Sequence, residues 1–172
     1  MSRTEKRIRI IVQTELHGID IDRLGKLAGT VLRKFGGQRA MATITITGDA
    51  QMRKVHYEFL RKRTTTDVIS FDLTDEFEKT PVFELVVNAE MAARQARERG
   101  HTTEAELALY ITHGLLHNLG FDDCEPEQAC LMHQTEDTLL TKAGFGCVFY
   151  TLEGRKSTRA NSALNFYPVT CP

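Results

Sequence analysis

The sequence predicts an α+β fold: a single domain in which a small mixed β-sheet of about four strands is covered by about five helices. Two observations carry that expectation. Short β-branched runs and longer stretches of helical periodicity follow one another in the order β-α-β-α-β-β-α-α-α. The chain of 172 residues is also an ordinary length for one hydrophobic core, and no internal repeat or Gly-rich phosphate loop interrupts it.

RIRIIVQTEL, Arg7 to Leu16, is rich in β-branched residues and reads as the first strand. Asp20 is placed to cap a helix on which Ile21, Leu24, Leu27, Ala28, Val31, Leu32 and Phe35 recur at helical spacing, and Gly36-Gly37 end it. ATITITG, Ala42 to Gly48, alternates at period two and forms the second strand. Asp49 is a candidate cap for a helix running to about Leu60. The polar connection Arg61 to Thr66 leads into DVISFDL, the third strand. An acidic, hairpin-like loop from Thr74 to Pro81 turns the chain into VFELVVN, Val82 to Asn88, the fourth strand. Ala89 to Arg99 reads as a helix stopped by Gly100, followed by a long helix from about Thr103 to Leu119. Pro126 opens a last helix that ends near Ala143-Gly144.

Residues 1–150 are expected to form the folded domain. Residues 151–172 differ in kind, with low periodicity, many small polar residues, and Arg155, Lys156 and Arg159 against Glu153 alone. They are expected to be a flexible C-terminal tail.

With 41% apolar and 26% charged residues the composition is that of a soluble globular protein. The net charge of −1 sets up no global field, so a nucleic-acid surface has to be a local patch. No apolar run approaches the roughly 20 residues of a membrane span. MSRTEKRIRIIVQ lacks the apolar region of a signal peptide. Cys124, Cys130, Cys147 and Cys171 form no CxxC pair, which suits reduced thiols in a cytoplasmic protein.

The chemistry concentrates in HGLLHNLGFDD, His113 to Asp123. His113 and His117 stand four residues apart, so on a helix both rings leave the same face, the spacing that offers two imidazole nitrogens to one zinc ion. Gly120 can end the helix in a left-handed conformation and turn the chain back. Asp122 or Asp123 can then return a third ligand. Two imidazoles beside Leu115, Leu116 and Leu119 would otherwise lose hydration without compensation. Cys124 is a weaker candidate ligand, and His56 and His133 read as helix-surface residues rather than ligands.

This stretch resembles the H-G-x-L-H-x-x-G-[YF]-D-H signature of the YbeY family of metal-dependent endoribonucleases and rRNA maturation factors. TTTDVISFDL, Thr64 to Leu73, is similar to the family's P-T-D-V-L-S-F strand, and ELVVNAEMAARQA, Glu84 to Ala96, to its following strand and helix. Met132 and Glu136 match the M-x-x-x-E of its closing helix. The likeness runs from about Ile44 to Phe145 in the family's order and spacing. It implies a hydrolase domain whose zinc-hydrolase-like helix carries H-x-x-x-H. It also implies hydrolysis of single-stranded RNA, ribosomal RNA in particular, in ribosome maturation and quality control. The implied metal ligands are His113, His117 and Asp123, holding one Zn2+ or another divalent transition metal per chain. The implied partners are that RNA and ribosomal small-subunit proteins, with neither membrane nor DNA.

Three positions depart from the pattern. Asp123 stands where the family has its third histidine, Leu60 where it has a functional arginine, and Thr65 where it has a proline. Arg61, adjacent to Leu60, is the candidate to take over the arginine's catalytic role, and Arg61, Lys62 and Arg63 together are candidates to hold substrate phosphates. A carboxylate ligates zinc as imidazole does, and two histidines plus one carboxylate leave an open fourth position. The anionic ligand reduces the charge of the site from +2 to +1, which makes bound water less acidic and the site less selective for zinc. Two other readings remain at this level: a zinc-dependent peptidase, and a catalytically weakened ribosome- or RNA-binding member of the family. Against the first, Gly114 occupies the position where a protease carries its glutamate base.

Overall fold

A computed structural model describes residues 7–77 and 79–148. The strands are β1 (Ile8–Val12), β2 (Met41–Thr47), β3 (Val68–Asp72) and β4 (Val82–Asn88). The helices are α1 (Ile21–Val31), α2 (Asp49–Leu60), α3 (Ala89–Arg99), α4 (Thr103–Asn118) and α5 (Pro126–Lys142). The element order is the expected one. The tail expected over 151–172 lies outside the described residues.

The strands form one mixed sheet in the order β1-β2-β4-β3. β1 and β2, and β2 and β4, run parallel, while β3 and β4 form the antiparallel hairpin anticipated from the acidic loop. Register places Ile10, Ile44 and Leu85 in one row and Ile46 beside Val87 in another, so one face of the sheet is continuously aliphatic. That face meets Leu24, Leu27 and Val31 of α1, Ala92 of α3, and Leu107, Ile111 and Leu115 of α4 in the main core. The opposite face carries Val86 and Ile69, which pack with Met52 of α2 in a smaller cluster. α4 is the central helix, with nearly every residue from Ala105 to Leu116 buried. Such a helix belongs to the core itself.

The helix ends explain the boundaries. Asp20 caps α1 by accepting from Arg23 N at 2.9 Å. α1 does not stop at Val31: the chain continues in a wider π-helical turn, Leu32–Gly36, and leaves it at Gly37 with a positive φ of 83°. Asp49, expected to cap α2, sits one residue inside it, Gly48 being the cap residue. Its carboxylate instead accepts from Arg94 at 2.8 and 3.1 Å and from Asn88 Nδ2 at 2.7 Å. Asn88 caps α3 with its amide oxygen and donates to Thr65 Oγ1 at 2.9 Å and Thr66 O at 3.0 Å with its nitrogen. Thr65, in the family's proline position, thus ties the start of β3 down by hydrogen bonds rather than by a rigid ring.

Cys124 and Cys147 are in no disulfide, as expected of reduced thiols, and Cys171 lies outside the described residues.

Candidate metal centre

The end of α4 is built to turn back on itself. Phe121 N donates to Leu116 O and Gly120 N to His117 O, each at 3.0 Å, the paired bonds of a Schellman turn. Gly120 takes the required positive φ, 91°. Asp122 then folds the next residues by accepting from Asp123 N at 2.8 Å and Cys124 N at 3.2 Å. The result carries Asp123 back over the last turn of the helix.

His113, His117 and Asp123 converge there, each offering one ligand atom within 4.8 Å of the others. His113 Nε2 lies 3.0 Å from His117 Nε2 and 4.0 Å from Asp123 Oδ2, and His117 Nε2 lies 3.7 Å from Asp123 Oδ1. A tetrahedral ion with bonds of about 2.0–2.2 Å needs ligand atoms about 3.3–3.6 Å apart. The observed separations bracket that range. The donor set therefore fits a divalent transition metal with an open fourth position.

Both rings are held by the nitrogen that does not face the centre. His113 Nδ1 donates to Glu136 Oε1 at 2.8 Å, and His117 Nδ1 donates to the Phe121 carbonyl at 3.2 Å. Each bond places the N–H on Nδ1 and leaves an Nε2 lone pair directed at the site, the arrangement metal-ligating histidines use. Glu136 is fully buried, and its second oxygen accepts from His133 Nδ1 at 2.9 Å. His133 is therefore not a surface residue, because it completes the hydrogen bonding of a buried carboxylate. His56, also expected on the surface, is buried with its Nδ1 2.6 Å from Thr64 O, where it fastens α2 to the lead-in of β3.

The electrostatics follow from these contacts. Burial is the largest single effect on His113 and opposes its charge, but the hydrogen bond and charge of Glu136, with the nearby Asp67 and Asp123 carboxylates, together outweigh it and raise the ring's pKa. Burial and the adjacent His113 ring push His117 down. Glu136 is penalised by burial, yet its two imidazole partners hold it below the usual carboxylate value. The Asp122 carboxylate beside Cys124 pushes that thiol up, which disfavours a thiolate ligand there.

Gly114, between the two histidines, has a packing role. A Cβ on it would lie 2.9 Å from Leu85 Cδ2 and 3.0 Å from Val68 Cγ2. α4 lies close enough to β3 and β4 at this point that a side chain here would have to push the Leu85 and Val68 side chains aside.

Arg61, Lys62 and Arg63 are exposed in the connection between α2 and β3. Arg61 takes a left-handed conformation at the end of α2, φ 56°, and its guanidinium lies 5.7 Å from the centre of the Tyr57 ring, with that of Arg63 at 5.6 Å. Phe59, 61% exposed, stacks on Phe71 at 4.8 Å. Asn118 Nδ2 is 3.4 Å from Phe71 O, so this aromatic surface adjoins the end of α4 that carries the histidines. Leu60, in the family's arginine position, is half exposed.

The family model described as endoribonuclease YbeY matches residues 9–144. The endoribonuclease YbeY of Aquifex aeolicus is 32% identical over 124 residues, 71% of this chain and 83% of that protein. That of Carboxydothermus hydrogenoformans is 32% identical over 108 residues, 63% and 76% of the two chains. That of Anaeromyxobacter dehalogenans is 33% identical over 143 residues, 82% and 73%. A solution structure from Thermotoga maritima superimposes with a TM-score of 0.58 at 19% identity, covering 87% of this chain and 99% of that one, and so shares the fold. With four-fifths of its length inside the family's bounds and relatives about a third identical over most of it, this chain belongs to the endoribonuclease YbeY family.

Proposed function

We propose that the chain is a metal-dependent endoribonuclease acting on single-stranded RNA, ribosomal RNA in particular, in ribosome maturation. His113, His117 and Asp123 are its metal ligands, and one Zn2+ per chain is the preferred ion. The observation that carries this reading is the convergence of two Nε2 atoms and one carboxylate, each ring locked by an Nδ1 hydrogen bond. A bound divalent ion supplies Lewis acidity at a phosphoryl oxygen and a nucleophilic hydroxide at neutral pH.

The other roles belong to the chain's own groups. Arg61, Lys62 and Arg63 hold phosphates of the strand being cut, with Arg61 closest to the family's arginine position. Tyr57 and Phe59 beside them offer exposed ring faces on which unpaired bases stack. Glu136 keeps His113 in the tautomer that ligates. No described helix is long and apolar enough to cross a membrane, and the setting we propose is cytoplasmic.

A peptidase is disfavoured by Gly114, which is packed against Leu85 and cannot move a proton. A family member that binds ribosomal RNA with weakened catalysis is the second reading, favoured by Leu60 in the arginine's place. Cleavage of a structured ribosomal RNA fragment, with His117→Ala as control, separates the readings. The proposal expects cuts in single-stranded regions by wild type, none by the variant, and near-stoichiometric transition metal in wild type alone. Equal cleavage by both proteins would assign the activity to a contaminant.

A further inference from the structure

A second feature of the molecule is suited to an anionic polymer. A groove of about 1100 Å³ opens between α1 and the edge strand β1 and extends onto β2. Its described lining contains four cations, Arg7, Arg9, Lys26 and Arg33, against one carboxylate, Asp22. In a chain of net charge −1 this is a strong local excess. Ile8, Ile10 and Ile21 add apolar surface, and two helical glycines keep the α1 side low. A Cβ on Gly25 would touch Ile10 Cδ1 at 3.7 Å, and one on Gly29 would lie 3.3 Å from Arg33 Nη1. The Arg33 side chain thus lies across the space that Gly29 leaves open.

The cations are available to a ligand. Among the described residues, neither Arg9 nor Lys26 makes a side-chain hydrogen bond or ion pair. Among the described residues Arg33 donates only to Thr30 Oγ1, at 3.0 Å. Arg7 donates to the backbone carbonyls of Gly37 and Ala40, which fixes its position without neutralising it.

The groove also leads to the metal centre. α1 and α4 run parallel: Glu104 at the start of α4 accepts from Asp20 N and Arg23 at the start of α1, at 2.9 and 3.0 Å. At their far ends the π-helical turn after α1 packs on the turn after α4, with Phe35 edge-on to Phe121 at 5.2 Å. Phe121 supplies the carbonyl that holds His117. The Arg33 end of the groove and the candidate metal ligands therefore lie toward the same pole of the molecule, with α1 between them.

We infer that the α1/β1 groove is a phosphate-binding track for the single-stranded RNA substrate, engaging backbone a few nucleotides away from the metal centre. Lys26, Arg33 and Arg9 bind phosphates, and the isoleucine floor accepts sugar and base faces. The site makes affinity depend on substrate length. It rests on the RNA-cleaving reading of the metal centre and adds to it a second place where the strand is held.

The test is equilibrium binding of a fluorescein-labelled, unstructured RNA of about 20 nucleotides to the full-length chain, followed by anisotropy across a salt series. Lys26→Glu/Arg33→Glu is expected to bind at least tenfold more weakly. Its log–log salt dependence should be shallower by about 1.4, two single-strand phosphate contacts at about 0.7 each. Arg9→Gln/Lys26→Gln, which removes groups with no side-chain partner among the described residues, should weaken binding in the same direction. Lys26→Arg/Arg33→Lys should bind as wild type does. The control Arg53→Glu/Lys54→Glu makes the same charge change on exposed positions of α2 and should stay within twofold of wild type. An equal loss in the control would reduce the effect to net charge and overturn the track, as would groove variants that bind like wild type. Wild type that binds no RNA would overturn the nuclease reading itself.

Discussion

Glu136 and His113 are joined by a 2.8 Å hydrogen bond in the core, 23 residues apart in sequence, with the carboxylate fully buried. The bond makes α5 part of the metal centre without giving it a ligand. The other carboxylate oxygen is saturated by His133. In Glu136→Gln the amide offers one acceptor where two imidazole N–H groups need one each, so one of them loses its partner. Metal affinity is expected to fall by roughly 10- to 100-fold, measured by chelator competition. Unchanged affinity would show that Glu136 does not orient His113.

Asp123 is the family's histidine position, and its carboxyl oxygens stand 3.7 and 4.0 Å from the two Nε2 atoms. Asp123→His replaces an anionic oxygen by a neutral nitrogen. The charge of the centre rises by one, so tighter zinc binding and a lower kinetic pKa of RNA cleavage should follow. If neither moves, Asp123 is not a ligand.

Glycines on helices respond in opposite directions here. Gly114→Ala forces a Cβ to within 3.0 Å of Leu85 and Val68 in the main core and should destabilise the domain by about 1–3 kcal/mol. Gly25→Ala meets only Ile10 at an ordinary 3.7 Å, and helix propensity favours it by roughly 0.5–1 kcal/mol. Chemical denaturation of the two variants checks the pair, and the same sign for both would refute the packing account of Gly114.

Asp49 supplies a pH dependence. Its hydrogen bond to Arg94 is the largest of the effects that hold its pKa down at about 2, against an ordinary 3.8. The folded-state pKa lies below the unfolded one, so the stabilisation is complete above about pH 4 and disappears as pH falls toward 2. Arg94 is 40% exposed, so solvent screens the pair and the effect is modest. The stability difference between wild type and Asp49→Asn should be constant from pH 5 to 7 and shrink progressively below pH 4. A difference that is flat down to pH 2 would remove the ion pair from the account.

Much of this was legible in the sequence because periodicity and punctuation agreed. Alternation marked β2, Pro126 marked the start of α5, Gly100 the end of α3, and Gly120 after the two histidines located the turned-back loop that follows α4. What stayed hidden depended on distant partners. Asp49 looks like a cap locally, but Arg94 and Asn88, brought in by α3, compete for its carboxylate. His133 and His56 carry no local sign of burial, and the packing of α5 and of α2 buries them. The π-helical turn after α1 has no pattern of its own in the sequence, and its Phe35 packs on Phe121 from far along the chain. The role of Gly114 could have been suspected from its place between two histidines on an otherwise bulky helix. The cations of the α1/β1 groove are scattered from residue 7 to residue 33 and meet only in three dimensions.

The three proposed ligands all lie between residues 113 and 123, on one helix end and the turn that leaves it. An ion held there closes a very short loop, so it removes little freedom from the unfolded chain and braces no distant parts of the domain. The metal is in this sense a clasp on one turn rather than a keystone. Stripping it should loosen the stretch from Leu119 to Glu125 and free the two imidazoles, while the sheet and its helices persist.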